Sequence, residues 1–240
     1  FTEGPVRVPP AGHNGRVYFC SDDGFLYCVD ADTGKLQWKF RGGPSSQHAI
    51  GNQRLVSAWV ARGGPVIRDE TIYFAASIWP FMGTFIYAVD AESGDVQWVN
   101  DSTGSQYIKQ PHSAPSFAGV APQGVLVATD EMLLVPGGRS VPAAFDRSTG
   151  KFRYFKFNEG GKGTGGSFLA ADDKNYYVHT RLKGTRAFDL KDGAKTAFMV
   201  NEPVLSDGMV YASVGDNSKP LVRAYGPGQK ALWEIRADGT

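Results

Sequence analysis

The chain has 240 residues, 42% of them hydrophobic, with 30 glycines and 14 prolines, a composition that suits a turn-rich globular protein able to bury a large core. Its 25 basic and 24 acidic residues nearly cancel and form no long run of like charge, so nucleic acid is not an expected partner. No stretch approaches the roughly 18 apolar residues of a membrane span, and the opening "FTEGPVRVPP" lacks the charged and apolar regions of a signal peptide.

In chain order, the first strand candidate is "PVRVPP", followed by the polar turn "HNG", the strand "RVYFCS" and a hairpin written "LYCVDADTGKLQWKF". The same order then repeats. "GGPVI", "RDE" and "TIYFAAS" lead to "IYAVDAESGDVQWVN", and "QGVLVAT" and "EMLLVPGG" lead to "AFDRSTGKFRYF". "GSFLAA", "DDK" and "NYYVHT" lead to "AFDLKDGAKTAF", and "EPVLS", "SDG" and "MVYASV" lead to "RAYGPGQKALWEI". Four antiparallel strands per unit of roughly 40–50 residues predict a β-propeller. Its five blades run over 1–42, 55–100, 118–158, 164–200 and 201–240.

Within the repeat, Asp30, Gly34 and Trp38 recur as Asp90, Gly94 and Trp98, then as Asp146, Gly150 and Tyr154. The fourth copy keeps Asp189 and Gly193 but has Ala197 at the ring position, and the fifth keeps Ala224 and, one residue early, Trp233. An Asp closing a strand accepts hydrogen bonds from the next turn, and Gly supplies the positive φ such a turn uses. A ring at fixed distance beyond the turn always leaves on the same strand face, because side chains alternate with period two. The pattern predicts that Trp38, Trp98 and Tyr154 are largely buried between adjacent blades.

The interval from Gly34 to Gly94 and from Gly94 to Gly150 exceeds that from Gly150 to Gly193, and the surplus sits in insertions at 41–60 and 101–121. Long loops on a rigid scaffold are where binding residues concentrate. These two carry Arg54, Trp59, Tyr107, Lys109 and His112, and "SIWPFMG" adds Trp79 and Phe81 inside a hairpin connection. Exposed aromatics beside Arg or Lys suit sugar, quinone or peptide binding; the alternative is that they cover blade faces.

Other chemistry is sparse. His13, His48, His112 and His179 are scattered without metal-ligand spacing. Asp22-Asp23 and Asp172-Asp173 fall at turn tips, where Asp serves its own backbone, and "EGGKGTGG" lacks the Lys-Ser or Lys-Thr of a phosphate loop. If Asp23-Gly24 form a two-residue turn, Cys20 and Cys28 lie on opposite faces of the first hairpin and stay unpaired.

The pattern in "CVDADTGKLQW" and "AVDAESGDVQW" resembles the tryptophan-docking motif of the PQQ-like β-propeller repeat, over nearly the whole chain. "FRGGPSSQHAIGNQRLVSAW" and "YFAASIWPFMGTFIYAVD" are similar to large PQQ-like repeat proteins of bacterial cell envelopes. The resemblance implies a periplasmic, outer membrane-associated or extracellular protein. It also implies a ring of seven or eight blades, of which these five form an open arc, the remaining blades of a larger chain being its neighbours.

Three functions follow. The first is a non-catalytic scaffold that binds a protein or glycan partner, with no cofactor expected in this segment. The second is part of a quinoprotein dehydrogenase that oxidises alcohols or sugars with PQQ and calcium. The third is a polysaccharide-processing propeller. Quinoprotein alcohol dehydrogenases resembling this pattern carry a vicinal cysteine pair, and no Cys-Cys occurs here, which favours the first.

Overall fold

A computed structural model of the chain describes every residue except 52, 78, 111–112, 139, 158, 160–163, 181–183, 215–220 and 237–240. The architecture is all-β. The first sheet takes Ala11–His13, Arg16–Cys20, Phe25–Asp30 and Leu36–Arg41 in chain order, each antiparallel to the next. The second takes Gly63–Arg68, Thr71–Ala76, Phe85–Asp90 and Val96–Asn100, with the short strand Gly124–Val125 lying parallel to its first strand. The third takes Val127–Ala128, Met132–Val135, Ala143–Asp146 and Phe152–Tyr154. Leu169–Ala171, Asn175–Thr180 and Gly184–Asp189 begin the fourth, and Met209–Val214, Leu221–Tyr225 and Ala231–Arg236 end the fifth. One long strand, Lys195–Ser206, serves both: its first half pairs with Gly184–Asp189 and its second with Met209–Val214.

These are propeller blades, and their stacking explains their composition. Thr71–Ala76 is buried along its whole length because both faces of the second sheet are covered. Ile72, Phe74, Tyr87 and Val89 pack toward the first sheet, against Tyr18, Cys20, Leu26 and Cys28. Their neighbours Tyr73, Ala75, Ile86 and Ala88 pack toward the third, against Leu133, Val135, Ala143 and Phe145. Period-two alternation therefore sends successive residues to two different cores, and the strand reads as a continuous apolar run. Two further cores join the third sheet to the fourth and the fourth to the fifth.

Two expectations are corrected here. "PVRVPP" forms no strand; the first sheet opens at Ala11. The Cys20–Cys28 hairpin also has a different register, with Tyr18 opposite Cys28 and Cys20 opposite Leu26. Ser21 N–H donates to Phe25 O at 3.1 Å and Gly24 N–H to Ser21 O at 3.0 Å, so the turn takes in Ser21 to Gly24. Asp22 lies outside the ladder: its N–H donates to Pro5 O and its carbonyl accepts from Ser57 N–H, each at 3.0 Å. Both thiols consequently share one face of the hairpin, offset along it, and both are free, buried and pushed up by burial.

Tyr176 is fully buried and stacked on Phe188, yet its hydroxyl has no hydrogen-bond partner among the described residues. Removing a buried, unsatisfied hydroxyl relieves a desolvation cost of about 1 kcal/mol or more. Tyr176→Phe is expected to raise the urea midpoint; a lower midpoint would show that the hydroxyl is satisfied in solution.

Candidate functional site

Each blade has two edges. One carries the tight turns between its first and second and its third and fourth strands; the other carries the second-to-third connections and the links between blades.

At the turn edge, Asp30 Oδ1 accepts from Thr33 N–H at 2.8 Å and from its hydroxyl, and Gly34 N–H donates to Asp30 O at 2.9 Å. Asp90 and Asp146 repeat this with Ser93 and Thr149, and Gly94 and Gly150 close the turns. Hydrogen bonds from Thr33 hold the Asp30 carboxyl below the usual carboxylate range; Ser93 does so for Asp90, and Ser148 with Thr149 for Asp146. The rings meet the glycines of the next blade. A β-carbon on Gly94 would stand 3.0 Å from Trp38, one on Gly193 2.6 Å from Tyr154, and one on Gly150 inside the contact distance of Trp98. Trp38 Nε1 donates to Glu92 O at 3.0 Å, Trp98 Nε1 to Arg147 O at 3.0 Å and Tyr154 Oη to Leu190 O at 2.6 Å.

The rings are half-buried, short of the expected enclosure, because each lies near the turn edge. Trp233 differs further: it is 49% exposed and tilts on Tyr211 at 6.0 Å, repeating the Tyr18–Trp38 and Tyr73–Trp98 pairs without a turn glycine beneath it among the described residues. Gly34 likewise has nothing within 4 Å of where its β-carbon would stand. In the fourth blade, Phe198 supplies the ring missing at Ala197. It meets Tyr225 edge-on at 4.9 Å, beyond a register shift between Arg186 and Phe188.

At the loop edge, both insertions form two-stranded arms. The first pairs His48–Gly51 with Arg54–Ser57, placing Ile50 opposite Leu55. The second pairs Gln106–Lys109 with Pro115–Ala118, placing Tyr107 opposite Phe117 with ring centroids 5.2 Å apart. Between the arms, Pro80–Met82 forms one turn of 3-10 helix that carries Phe81, with Trp79 just before it; their rings lie 6.5 Å apart. This turn is wedged: Trp59 Nε1 donates to Met82 O at 2.9 Å from one side, and a β-carbon on Gly119 would stand 2.7 Å from Pro80 Cβ on the other.

Trp59 is therefore no ligand-surface residue. It is buried over Gly43 and edge-on to Phe85, where it fixes the base of the first arm. Ile50, Leu55, Trp79, Phe81, Tyr107 and Phe117 stay exposed, Phe81 and Phe117 at 75% each. Arg54 and Lys109 are exposed beside them, and His112 lies outside the described residues. Ile50, Leu55 and Phe117 are missing from the candidates read off the sequence; the alternation that pairs them with a partner was the available signal.

The base of the first arm is secured by charge. Asp22 is 1% exposed and receives Arg62 Nε at 2.8 Å, Arg62 Nη2 at 2.9 Å and Arg7 Nε at 2.6 Å. Burial opposes its ionisation, but Arg62 and Arg7 hold its carboxyl below the ordinary value. On the turn edge, an open cleft of about 670 Å³ lies between the third and fourth blades, lined by residues including Asp130, Glu131, Arg153, Asp173 and Lys191. Its charges are partly committed, Asp130 to Arg68 and Arg153 to Asp146.

Stacked four-stranded blades, with glycine turns under aromatic rings, define a repeat β-propeller of the PQQ-like class. The sequence profile described as outer membrane protein assembly factor BamB, a PQQ-repeat family, matches residues 1–154, and the chain belongs to that family. BamB from Moraxella catarrhalis superposes with a TM-score of 0.52 at 15% identity, over 98% of this chain and 64% of that one. The quinohemoprotein alcohol dehydrogenase from Comamonas testosteroni gives 0.56 at 14% identity, over 97% and 43%. In sequence, the dehydrogenase subunit of a quinone alcohol dehydrogenase from Gluconacetobacter polyoxogenes is 36% identical over 89 residues. That match takes in 35% of this chain and only 11% of the relative.

Among the described residues no three His, Cys, Asp or Glu side chains converge as ligands, and the two cysteines are separated and buried. Among the described residues, too, no helix is long and apolar enough to cross a membrane.

Proposed function

We propose that this chain is a non-catalytic β-propeller scaffold of a bacterial cell envelope, binding a protein or glycan partner through its loop edge. One observation carries the reading: six large apolar side chains stand exposed on two arms and the turn between them. Large apolar side chains exposed in pairs along one edge mark an interaction site, and an isolated two-stranded ribbon gains little from solvent. The description of the family as an assembly factor supports a protein partner and an envelope location. The rings on the turn glycines serve as inter-blade locks in this reading. The open Tyr211–Trp233 face and the bare Gly34 turn are where further blades of a larger ring would dock.

The test is site-specific cross-linking in cells with a photoreactive phenylalanine analogue. At Phe117 it is expected to yield a discrete adduct, and at Asp32, on the turn edge, none. Equal adducts at both, or none at either, would contradict the assignment.

The quinoprotein reading has the alcohol dehydrogenase relatives in its favour. After incubation with PQQ and calcium, dye-linked oxidation of ethanol and glucose is expected to stay at the no-cofactor level. A rate well above that control would establish catalysis.

A further inference from the structure

The loop edge carries its exposed apolar side chains in separate pairs: Ile50 with Leu55 on the first arm, Trp79 with Phe81 on the 3-10 turn, and Tyr107 with Phe117 on the second arm. The pairs stand side by side because their bases are joined. Trp59, at the foot of the first arm, donates to Met82 O, and Gly104 and Gly119, at the foot of the second, close on Pro80. Among the described residues no ring contact links the Trp79–Phe81 pair to the Tyr107–Phe117 pair. Three crests with gaps between them demand a matching relief from a rigid partner, whereas a fluid surface fills the gaps. A glycan stacks on rings and has little use for Ile50 and Leu55. Trp and Tyr, both present among the six, favour a lipid–water interface.

Charge divides the two edges in the same sense. Residues 41–61 and 77–84 contain no Asp or Glu, and 101–121 contain only Asp101, which directly follows the strand Val96–Asn100. The nearby acids of the first sheet are occupied: Asp22 by Arg7 and Arg62, and Asp23 by the Tyr27 hydroxyl at 2.6 Å and Phe25 N–H at 3.1 Å. Arg54, next to Leu55 on the first arm, is exposed and forms no ion pair with a described residue, and Arg41 is exposed at the foot of that arm. The opposite edge concentrates the acidic residues, in turns such as Asp69–Glu70, Asp130–Glu131 and Asp172–Asp173. An anionic surface therefore attracts the loop edge and repels the other. A long Arg side chain beside an apolar one keeps its guanidinium at the level of lipid phosphates while its neighbour goes deeper.

We infer that the loop edge seats on an anionic lipid surface, its three apolar pairs entering the headgroup region and Arg54 and Arg41 meeting lipid phosphates. This goes beyond the protein or glycan partner proposed above, and it orients the propeller with its turn edge away from the membrane.

Vesicle co-sedimentation of the intact protein tests it, with vesicles of phosphatidylcholine alone and of phosphatidylcholine mixed with phosphatidylglycerol. Binding to the mixed vesicles is expected to be at least about tenfold tighter, since basic side chains gain from an anionic surface. Arg54→Glu is expected to lose about tenfold on the mixed vesicles by reversing one of those charges. Ile50→Ser with Leu55→Ser, and Tyr107→Ser with Phe117→Ser, are each expected to lose at least about tenfold without lowering the thermal midpoint, because all four side chains are exposed. An environment-sensitive dye on Phe117→Cys is expected to brighten on the mixed vesicles and one on Asp32→Cys, on the turn edge, to stay dim; both native thiols are buried and escape the label.

Equal binding to the two vesicles, binding to neither, unchanged binding of the Ser pairs, or brightening at Asp32 as strong as at Phe117 would overturn the inference. The partner reading fails or stands separately. No vesicle binding together with a discrete protein adduct at Phe117 in cells would overturn the lipid surface alone, and vesicle binding with no protein adduct would leave the lipid surface alone standing.

Discussion

Gly150→Ala is expected to destabilise the protein by about 3 kcal/mol, whereas Gly34→Ala costs only about 1 kcal/mol. The two glycines have the same backbone conformation, φ +69° and +67°, so the left-handed strain of adding a side chain is common to both. Their surroundings differ. A β-carbon at Gly34 meets open space, while one at Gly150 runs into the Trp98 ring. Displacing that ring breaks its N–H bond to Arg147 O and uncovers the core beneath it, where Trp98 packs against a cluster that includes Tyr73 and Phe145. Urea unfolding of both variants measures the difference. Equal costs would mean that the ring does not lock the second blade to the third.

Asp22→Ala is expected to cost about 3 kcal/mol, the low end of the range for breaking a buried ion pair, because Arg7 and Arg62 remain partly exposed to water. The carboxylate ties residues near the start of the chain and Arg62, just before the second sheet, to the first hairpin, so its loss frees three segments at once. Its pH dependence has a fixed sign. The folded carboxyl titrates below its unfolded value of roughly 3.9, so the stabilisation is complete well above that pH and is lost as pH falls through the lowered folded value. Asp22→Asn should therefore show less additional loss of stability on acidification. An unchanged acid limb would remove Asp22 from the account.

The repeat was legible because its parts are local. An Asp, a turn hydroxyl and a Gly within one hairpin make their own hydrogen bonds, and Asp30, Asp90 and Asp146 satisfy that arrangement regardless of what the rest of the chain does. Two of the misreadings depend on distant partners. Trp59 looked like a free ring in an insertion, but Met82 O and Gly43 provide its pocket from elsewhere in the chain. The cysteine register followed from a short turn, whereas the backbone of Asp22 bonds to Pro5 and Ser57, outside the hairpin. Phe198, not Ala197, carries the fourth ring because a register shift in the pairing moves the position by one residue. The loop-edge surface was half legible: Trp79, Phe81 and Tyr107 stood out as aromatics, but Phe117, the strand partner of Tyr107, and the Ile50–Leu55 pair required the pairing.

Hydroxyl-radical footprinting, compared between the purified protein and the protein inside cells, tests the central claim most directly, because the side chains of both edges are read in one experiment. Tyr107, Phe117, Trp79 and Phe81 are expected to react strongly when purified and to lose most of that reactivity in cells, while Trp38 and Trp98 on the turn edge change little. Undiminished reactivity of the four loop-edge rings in cells, with protection confined to the turn edge, would contradict the assignment of function to the loop edge.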